Sequence, residues 1–151
     1  MKIVIFGDRK INKMETLLEA LEHFAIDIAA IKEIVCGKAT GADTLGEEFG
    51  NSNNIKVTFF EPDWKDITVP GAKIGENKYG KYNKIAGFTR NQQMVDYADI
   101  GVALQTNGDT SGTQDCIERF KKSGKTVHIY RGKKSSTASS SQEGGEYSIP
   151  F

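Results

Sequence analysis

The sequence predicts an α/β fold: a three-layer sandwich whose mainly parallel, five-stranded sheet of order 3-2-1-4-5 carries helices on both faces. Three observations predict it. Short apolar runs at residues 3–6, 34–36, 55–60, 100–104 and 126–130 alternate with helical stretches, and such alternation implies parallel strands joined by right-handed crossovers. The first and fourth runs are apolar throughout, the form of a strand buried on both faces. Small, hydrogen-bonding loops rich in glycine follow three of the runs.

Taken in order, Ile3, Val4, Ile5 and Phe6 form the first strand, ended by Gly7. A helix is expected from about residue 12. Met14, Leu17, Leu18, Leu21 and Phe24 fall on one apolar stripe, while Glu15, Glu19 and Glu22 face water. Ile34, Val35 and Cys36 make the second strand, followed at once by the loop 37–43. Leu45 and Phe49 continue a second helix, which residues 50–53 terminate. Residues 55–60 are the third strand, closed by Glu61, Pro62, Asp63 and Trp64. From 65 to 82 no period holds, and a loop of that length in a compact domain is usually functional or mobile. A helix resumes near 83–97, with Phe88, Met94, Val95 and Ala98 facing inward. Residues 100–104 are the fourth strand and 111–123 the fourth helix, stopped by Gly124 with Lys121 and Lys122 in its last turn. Residues 126–130 are the fifth strand.

The composition then shifts, and 1–131 is expected to be the domain and 132–151 a Ser/Gly-rich tail. The tail cannot bury enough apolar surface to order itself. It ends on the apolar group Tyr147 to Phe151, so a disordered tail and one docked on a neighbouring subunit are both open.

At 151 residues the chain is one domain by size. Its 20 basic and 20 acidic residues cancel, which gives no argument for duplex DNA or an anionic membrane as partner. No apolar stretch approaches the roughly 20 residues that span a bilayer. Two cysteines, Cys36 and Cys116, make no disulfide framework, and a reducing cytoplasm is the simple expectation. His23 and His128 lie in different elements without zinc spacing, so neither metal nor cofactor is expected.

The loop 105–116 is the first candidate for the working end. A strand, a loop of small polar residues and then a helix is an anion-binding arrangement, because the first helical N–H groups lack intrahelical acceptors. Gly112 lets a phosphate approach the backbone, and Ser111 and Thr113 offer hydroxyl donors. An N-capped helix after a polar loop is the plainer reading. In a parallel sheet, however, the loops after the strands share one edge, and ligands bind where strand order reverses. The predicted order puts Gly7, Asp8 and Arg9 beside 106–113, with the loop from Gly37 through Gly41 to Asp43 as neighbour. Arg9 and Lys38 add positive charge there. The dinucleotide fingerprint G-x-G-x-x-G and the P-loop pattern are both absent.

Arg90 is placed to fork onto a phosphate, or else to pair with Asp96 or Glu76. Asn91 can bond a base or ribose, or cap a helix. Asp43 can accept from ribose hydroxyls, or pair with Lys38 or Arg9. Trp64 is a stacking candidate or a core residue, and Tyr79 and Tyr82 are candidates for a lid.

Several of these residues form an ordered set: Gly7, Asp8 and Arg9; Gly41, Ala42 and Asp43; Pro62, Asp63 and Trp64; Ala86 and Gly87 with Arg90, Asn91 and Met94; Gly112 and Thr113 with Asp115. The set resembles the SLOG superfamily, most nearly its YspA-related branch of small Rossmann-like proteins, over residues 1 to 130. Relatives include the cytokinin-activating phosphoribohydrolases and DprA. The resemblance implies a nucleotide or nucleotide-derived ligand such as ADP-ribose, and self-association into a homo-oligomer. By position it makes Gly7, Arg9, Gly41, Asp43, Arg90, Asn91, Gly112 and Thr113 the pocket.

The hydrolase relatives carry P-G-G-x-G-T-x-x-E. Here Asn107 and Gly108 replace the glycine pair, and Cys116 holds the position of the acid, with Asp115 beside it. Asp115 and Asp43 are therefore the only catalytic candidates. Three readings follow in order: a protein that senses or sequesters a nucleotide, as a phage-borne protein of that kind would; a nucleotide N-glycosidase; and a single-strand DNA binder, which wants a positive groove with stacking aromatics.

Overall fold

A computed structural model describes residues 1–37, 41–68, 70–106, 111–132 and 134–138. Lys38 and the loop 107–110, both singled out above, lie outside the described residues, as does the apolar end of the tail.

The order of elements is β1 (Lys2–Gly7), α1 (Met14–His23), a 3-10 turn (Ile28–Ala30), β2 (Glu33–Cys36), α2 (Ala42–Ser52), β3 (Lys56–Phe59), β4 (Ile74–Asn77), β5 (Gly80–Asn83), α3 (Ala86–Tyr97), β6 (Ile100–Leu104), α4 (Ser111–Ser123), β7 (Val127–Tyr130) and β8 (Ser136–Ala138). The main sheet runs β3-β2-β1-β6-β7-β8. Its first five strands are parallel, β1 pairing with β6 from Ile3–Ile100 to Gly7–Leu104. The α/β class and the order of the five expected strands therefore hold, since β6 and β7 are the fourth and fifth of them.

Side-chain alternation along β1 builds two cores. Ile3 and Ile5 face α1 and α2, through Leu17, Leu21, Leu45 and Phe49. Val4 and Phe6 face α3 and α4, through Met94, Val95, Ile117 and Phe120. Because strand side chains alternate with a period of two, a wholly apolar β1 feeds both faces at once.

Several expectations are corrected. The sheet has a sixth strand, β8, antiparallel to β7 with Val127 opposite Ala138, drawn from the Ser-rich stretch. The stretch 65–82 contains most of an antiparallel hairpin, β4–β5, with Ile74 opposite Asn83. Its strands are polar and largely exposed, so no apolar period marks them. α3 starts at Ala86 rather than 83, because Asn83 closes the hairpin and its side-chain oxygen accepts the Ile85 N–H at 3.1 Å. Leu18 and Phe88 are exposed, at 44% and 38%. Leu18 sits about 100° round α1 from Leu17, and Ala20 packs inward with Leu17 and Leu21. Among the described residues no helix is long and apolar enough to cross a membrane, and both cysteines are free and buried.

Candidate functional site

The carboxyl ends of β1 and β6 meet at the reversal of strand order, and the chain stitches neighbouring loops together there. The Asp8 N–H donates to the Leu104 carbonyl at 2.9 Å, tying the end of β1 to β6. The Asp8 carbonyl accepts from Ile11 at 3.2 Å and from Ala42, the first residue of α2, at 3.3 Å. Gly41 has φ +76°, and a Cβ there would overlap the backbone of Arg9. Only glycine lets those two loops touch.

Arg90, in the second turn of α3, is seated across the ends of two strands. Its Nη1 donates to the carbonyl of Gly37, just past β2, and at 3.4 Å to that of Phe60, just past β3. Its Nε donates to the Asn91 Oδ1 at 3.0 Å, and Nη2 has no acceptor among the described residues. The Gly37 N–H in turn donates to the Asp43 Oδ2 at 3.2 Å. Burial pushes the Arg90 pKa below its ordinary value, Asp43 nearby pulls it back, and Arg9 lowers it. Two guanidiniums thus lie within electrostatic reach of one another, with the Asp43 carboxylate offsetting part of the cost at Arg90.

These groups surround an open cavity of about 460 Å³. Gly7 and Arg9 come from the loop after β1, Asp43 from α2, Arg90 and Asn91 from α3, and Ser111, Gly112 and Thr113 from the first turn of α4. Of the expected ligand-binding set, eight line it: Gly7, Arg9, Asp43, Arg90, Asn91, Ser111, Gly112 and Thr113. Asp8, Gly37 and Gly41 are set behind the wall, where they hold the loops. Phe6, Met94 and Cys116 also line it and were not expected. Met94 was legible in principle, being one turn along α3 from Arg90 on the same face.

The N-terminus of α4 opens straight onto this space. Gly112 lines the cavity, and a Cβ built on it meets nothing within 4 Å among the described residues. The buried Asn91 donates to the Gly112 carbonyl at 3.2 Å and to the Asp115 Oδ2 at 3.1 Å, fixing α4 against α3. That accounts for Asn91 more fully than a helix cap does.

The two candidate acids are placed differently. Asp115 does not line the cavity; it is held by Arg119 at 2.7 Å as well as by Asn91. Asp43 does line it, 6% exposed and bonded to the backbone of Gly37. At the position of the hydrolases' acid, Cys116 is 1% exposed, and burial, with Asp43 and Asp115 nearby, pushes its thiol far above the ordinary value. It is neutral at physiological pH.

The aromatic candidates fall outside the cavity wall. Trp64 is 44% exposed, so it is not core, and its ring lies over Gly87 at the start of α3. Tyr79 is at the hairpin tip, 85% exposed. Tyr82 packs by Gly75 within the hairpin. Arg90 pairs with neither Asp96 nor Glu76 among the described residues. No group of His, Cys, Asp and Glu among them is disposed to hold a metal ion.

Residues 1–66 match the family described as YAcAr: YspA, cpYpsA-related SLOG family. Over those residues the resemblance to the SLOG superfamily holds, against an expected span of 1 to 130. The matched segment carries β1 through β3, with Gly7, Arg9 and Asp43 of the cavity wall. Among solved structures, the X-ray structure of DNA processing protein A (DprA) from Streptococcus pneumoniae is similar, with a TM-score of 0.58 and 21% identity. The match covers 87% of this chain and 50% of that one, so the chain spans half the length of the solved structure. Identity at that level speaks for a shared fold. No curated protein matches the chain.

Proposed function

We propose that the protein binds a nucleotide or nucleotide-derived phosphorylated ligand in the cavity at the carboxyl edge of the sheet, and holds it without turnover. One observation carries this reading: Arg9, Arg90 and the open first turn of α4 face the same cavity of about 460 Å³, a size ordinary for a small-molecule site. A phosphate between them would accept from backbone N–H groups of α4, meet the positive end of its dipole and lie against two guanidiniums. The SLOG match and the DprA-like fold are consistent with nucleotide-related binding.

Turnover is less well supplied. Hydrolysis of an N-glycosidic bond needs a carboxylate able to exchange a proton at the reacting centre. Asp115 is turned to Arg119, Cys116 is a buried neutral thiol, and Asp43 is already engaged by Gly37. A polynucleotide fits poorly too, because Glu61 and Asp63 stand exposed beside the site and would repel a phosphate backbone.

The test is calorimetry with nucleoside monophosphates, ADP-ribose and pyrophosphate, followed by chromatography of the ligand. Intact ligand is expected after binding, and released free base would instead establish the glycosidase reading. Arg9→Ala, an exposed change, is expected to weaken phosphate-bearing ligands by roughly tenfold or more while leaving the melting temperature unchanged. Equal affinity in that variant would take Arg9 out of the site.

A further inference from the structure

Gln105, the first residue past β6, is 2% exposed and does not line the cavity. Its N–H carries the ladder to β7 one step further, donating to the Tyr130 carbonyl at 3.0 Å. Its side chain bonds to two other parts of the molecule. Oε1 accepts from both Nε and Nη2 of Arg131, at 3.2 and 2.7 Å. Nε2 donates to the Oε1 of Gln114, in α4, at 3.3 Å. Gln114 Nε2 donates in turn to the Oε2 of Glu118, one helical turn on, at 3.0 Å.

The two ends of this series fix its direction. A guanidinium can only donate, and a carboxylate can only accept. Arg131 therefore draws the oxygen of Gln105 and leaves its NH2 group for Gln114. Glu118 draws the NH2 group of Gln114 and leaves its oxygen for Gln105. Both amides are set the same way round from opposite ends. Neither can turn over without putting donor against donor at Arg131 or oxygen against oxygen at Glu118. Polar groups satisfied in series rigidify what they join. Here they join the carboxyl end of β6 to α4, one residue beyond the Ser111, Gly112 and Thr113 that line the cavity. From α3 the same turn is held by Asn91, through the Gly112 carbonyl.

We propose that Gln105 is a positioning residue for the anion site. It does not touch the ligand; through Gln114 it sets where the first N–H groups of α4 stand relative to Arg9 and Arg90. Hydrogen bonds weaken steeply as their geometry departs from the optimum, so a small displacement of α4 is felt as lost affinity. The inference rests on the phosphate reading of the cavity and adds to it a residue from outside the wall.

The experiment is a double-mutant cycle, read by calorimetry with inorganic pyrophosphate on the full chain: wild type, Gln105→Glu, Glu118→Gln and the two together. Gln105→Glu keeps an acceptor for Arg131 but has no N–H for Gln114. Gln114 must turn its amide over to serve it, which sets its oxygen against Glu118. Glu118→Gln relieves that repulsion with an NH2 group, and alone it still accepts from Gln114 through its own oxygen. Gln105→Glu is expected to weaken pyrophosphate by roughly three- to tenfold. Glu118→Gln alone, an exposed change, should stay within about twofold of wild type, and the pair should recover most of the loss. Melting temperatures check that each variant is folded. If charge alone were at work, Glu118→Gln would tighten binding by the same factor in both backgrounds. Additive effects of that kind overturn the proposal, as does a Gln105→Glu variant that binds like wild type. Should Gln105→Glu not fold, Gln114→Leu breaks the series at a half-buried position and carries the same expected loss, and native affinity there is equally fatal. Wild-type protein that fails to bind pyrophosphate overturns the phosphate reading itself, and this inference with it.

Discussion

Glu33 lies at the end of the sheet opposite the cavity, 8% exposed, and accepts hydrogen bonds of 2.5 Å from both Thr58 and Tyr97. Burial alone would raise its carboxyl. The bonds from Thr58 and Tyr97, with Lys56 and Lys2 nearby, outweigh that and hold it below its ordinary value of 4.5. A carboxylate with a depressed folded pKa adds stability that is complete above the unfolded value and is lost as pH falls through the folded one. Tyr97→Phe is therefore expected to destabilise the protein at neutral pH. The gap to wild type should narrow once the pH drops below about 4.5, as followed by urea melts across pH. A gap constant with pH would mean that Tyr97 acts through packing alone. Nothing in the sequence flagged this cluster, because its members lie on β2, β3 and α3 and meet only when the sheet forms. Gly37 was read as a member of the ligand loop, and its residue-scale reason is different. A Cβ there would come within 2.5 Å of the Arg90 Nη1 and 2.8 Å of the Asp43 Oδ2. Gly37→Ala should displace the guanidinium, lowering stability by about 1–3 kcal/mol and phosphate affinity together. A variant with native affinity would show that Arg90 need not be seated on β2.

At the scale of elements, legibility followed apolar periodicity. β1, β6 and the buried residues of α3 and α4 were readable because burial forces apolar residues into runs or stripes. The hairpin β4–β5 was not. Its strands, Ile-Gly-Glu-Asn and Gly-Lys-Tyr-Asn, pair with each other outside the main sheet and need no apolar face. β8 is hidden similarly, since Ser136 and Thr137 carry little strand signal and are placed by the ladder to β7. Element ends also depend on side chains far away in sequence. Lys125, in the turn between α4 and β7, donates through Nζ to the carbonyls of Val95 and Ala98 at 2.7 Å and of Asp96 at 3.1 Å. It satisfies the end of α3 with a cation at the negative pole of the helix dipole. Lys125→Met keeps the stem and removes the charge. It is expected to lower unfolding free energy by about 1–2 kcal/mol, with high salt reducing the difference only partly because the contact is half-buried. Denaturant melts with an unchanged slope and a lower midpoint would be the signature, and an unshifted midpoint would reduce the contact to a surface ornament.

For the molecule as a whole, the candidate site was legible because topology did the gathering. Once five strands were placed in the order 3-2-1-4-5, loops distant in sequence had to share an edge, and eight residues picked from those loops and from α3 line one cavity. What topology could not supply was depth. Asp8, Gly37 and Gly41 belong to the right loops but sit behind the wall, because the loops bond to each other through them. The same reasoning bears on where the folded unit stops. Composition puts the boundary after Arg131, yet Ser136, Thr137 and Ala138 hydrogen-bond along β7, and the His128 Nδ1 lies 2.8 Å from the Thr137 Oγ1. Without β8, the outer edge of β7 would present unpaired backbone groups beside the buried Val127 and Ile129, the arrangement that invites strand-to-strand association. A chain ended at Arg131 should therefore melt at a lower temperature and self-associate with rising concentration, as read by light scattering. It should keep its affinity for phosphate ligands, since the cavity lies on the far side of β6 from that edge. A truncated chain that stays as stable and as dispersed as the full one would show that β8 contributes nothing to closing the sheet. Loss of ligand affinity with the fold intact would show instead that the C-terminal stretch reaches the site.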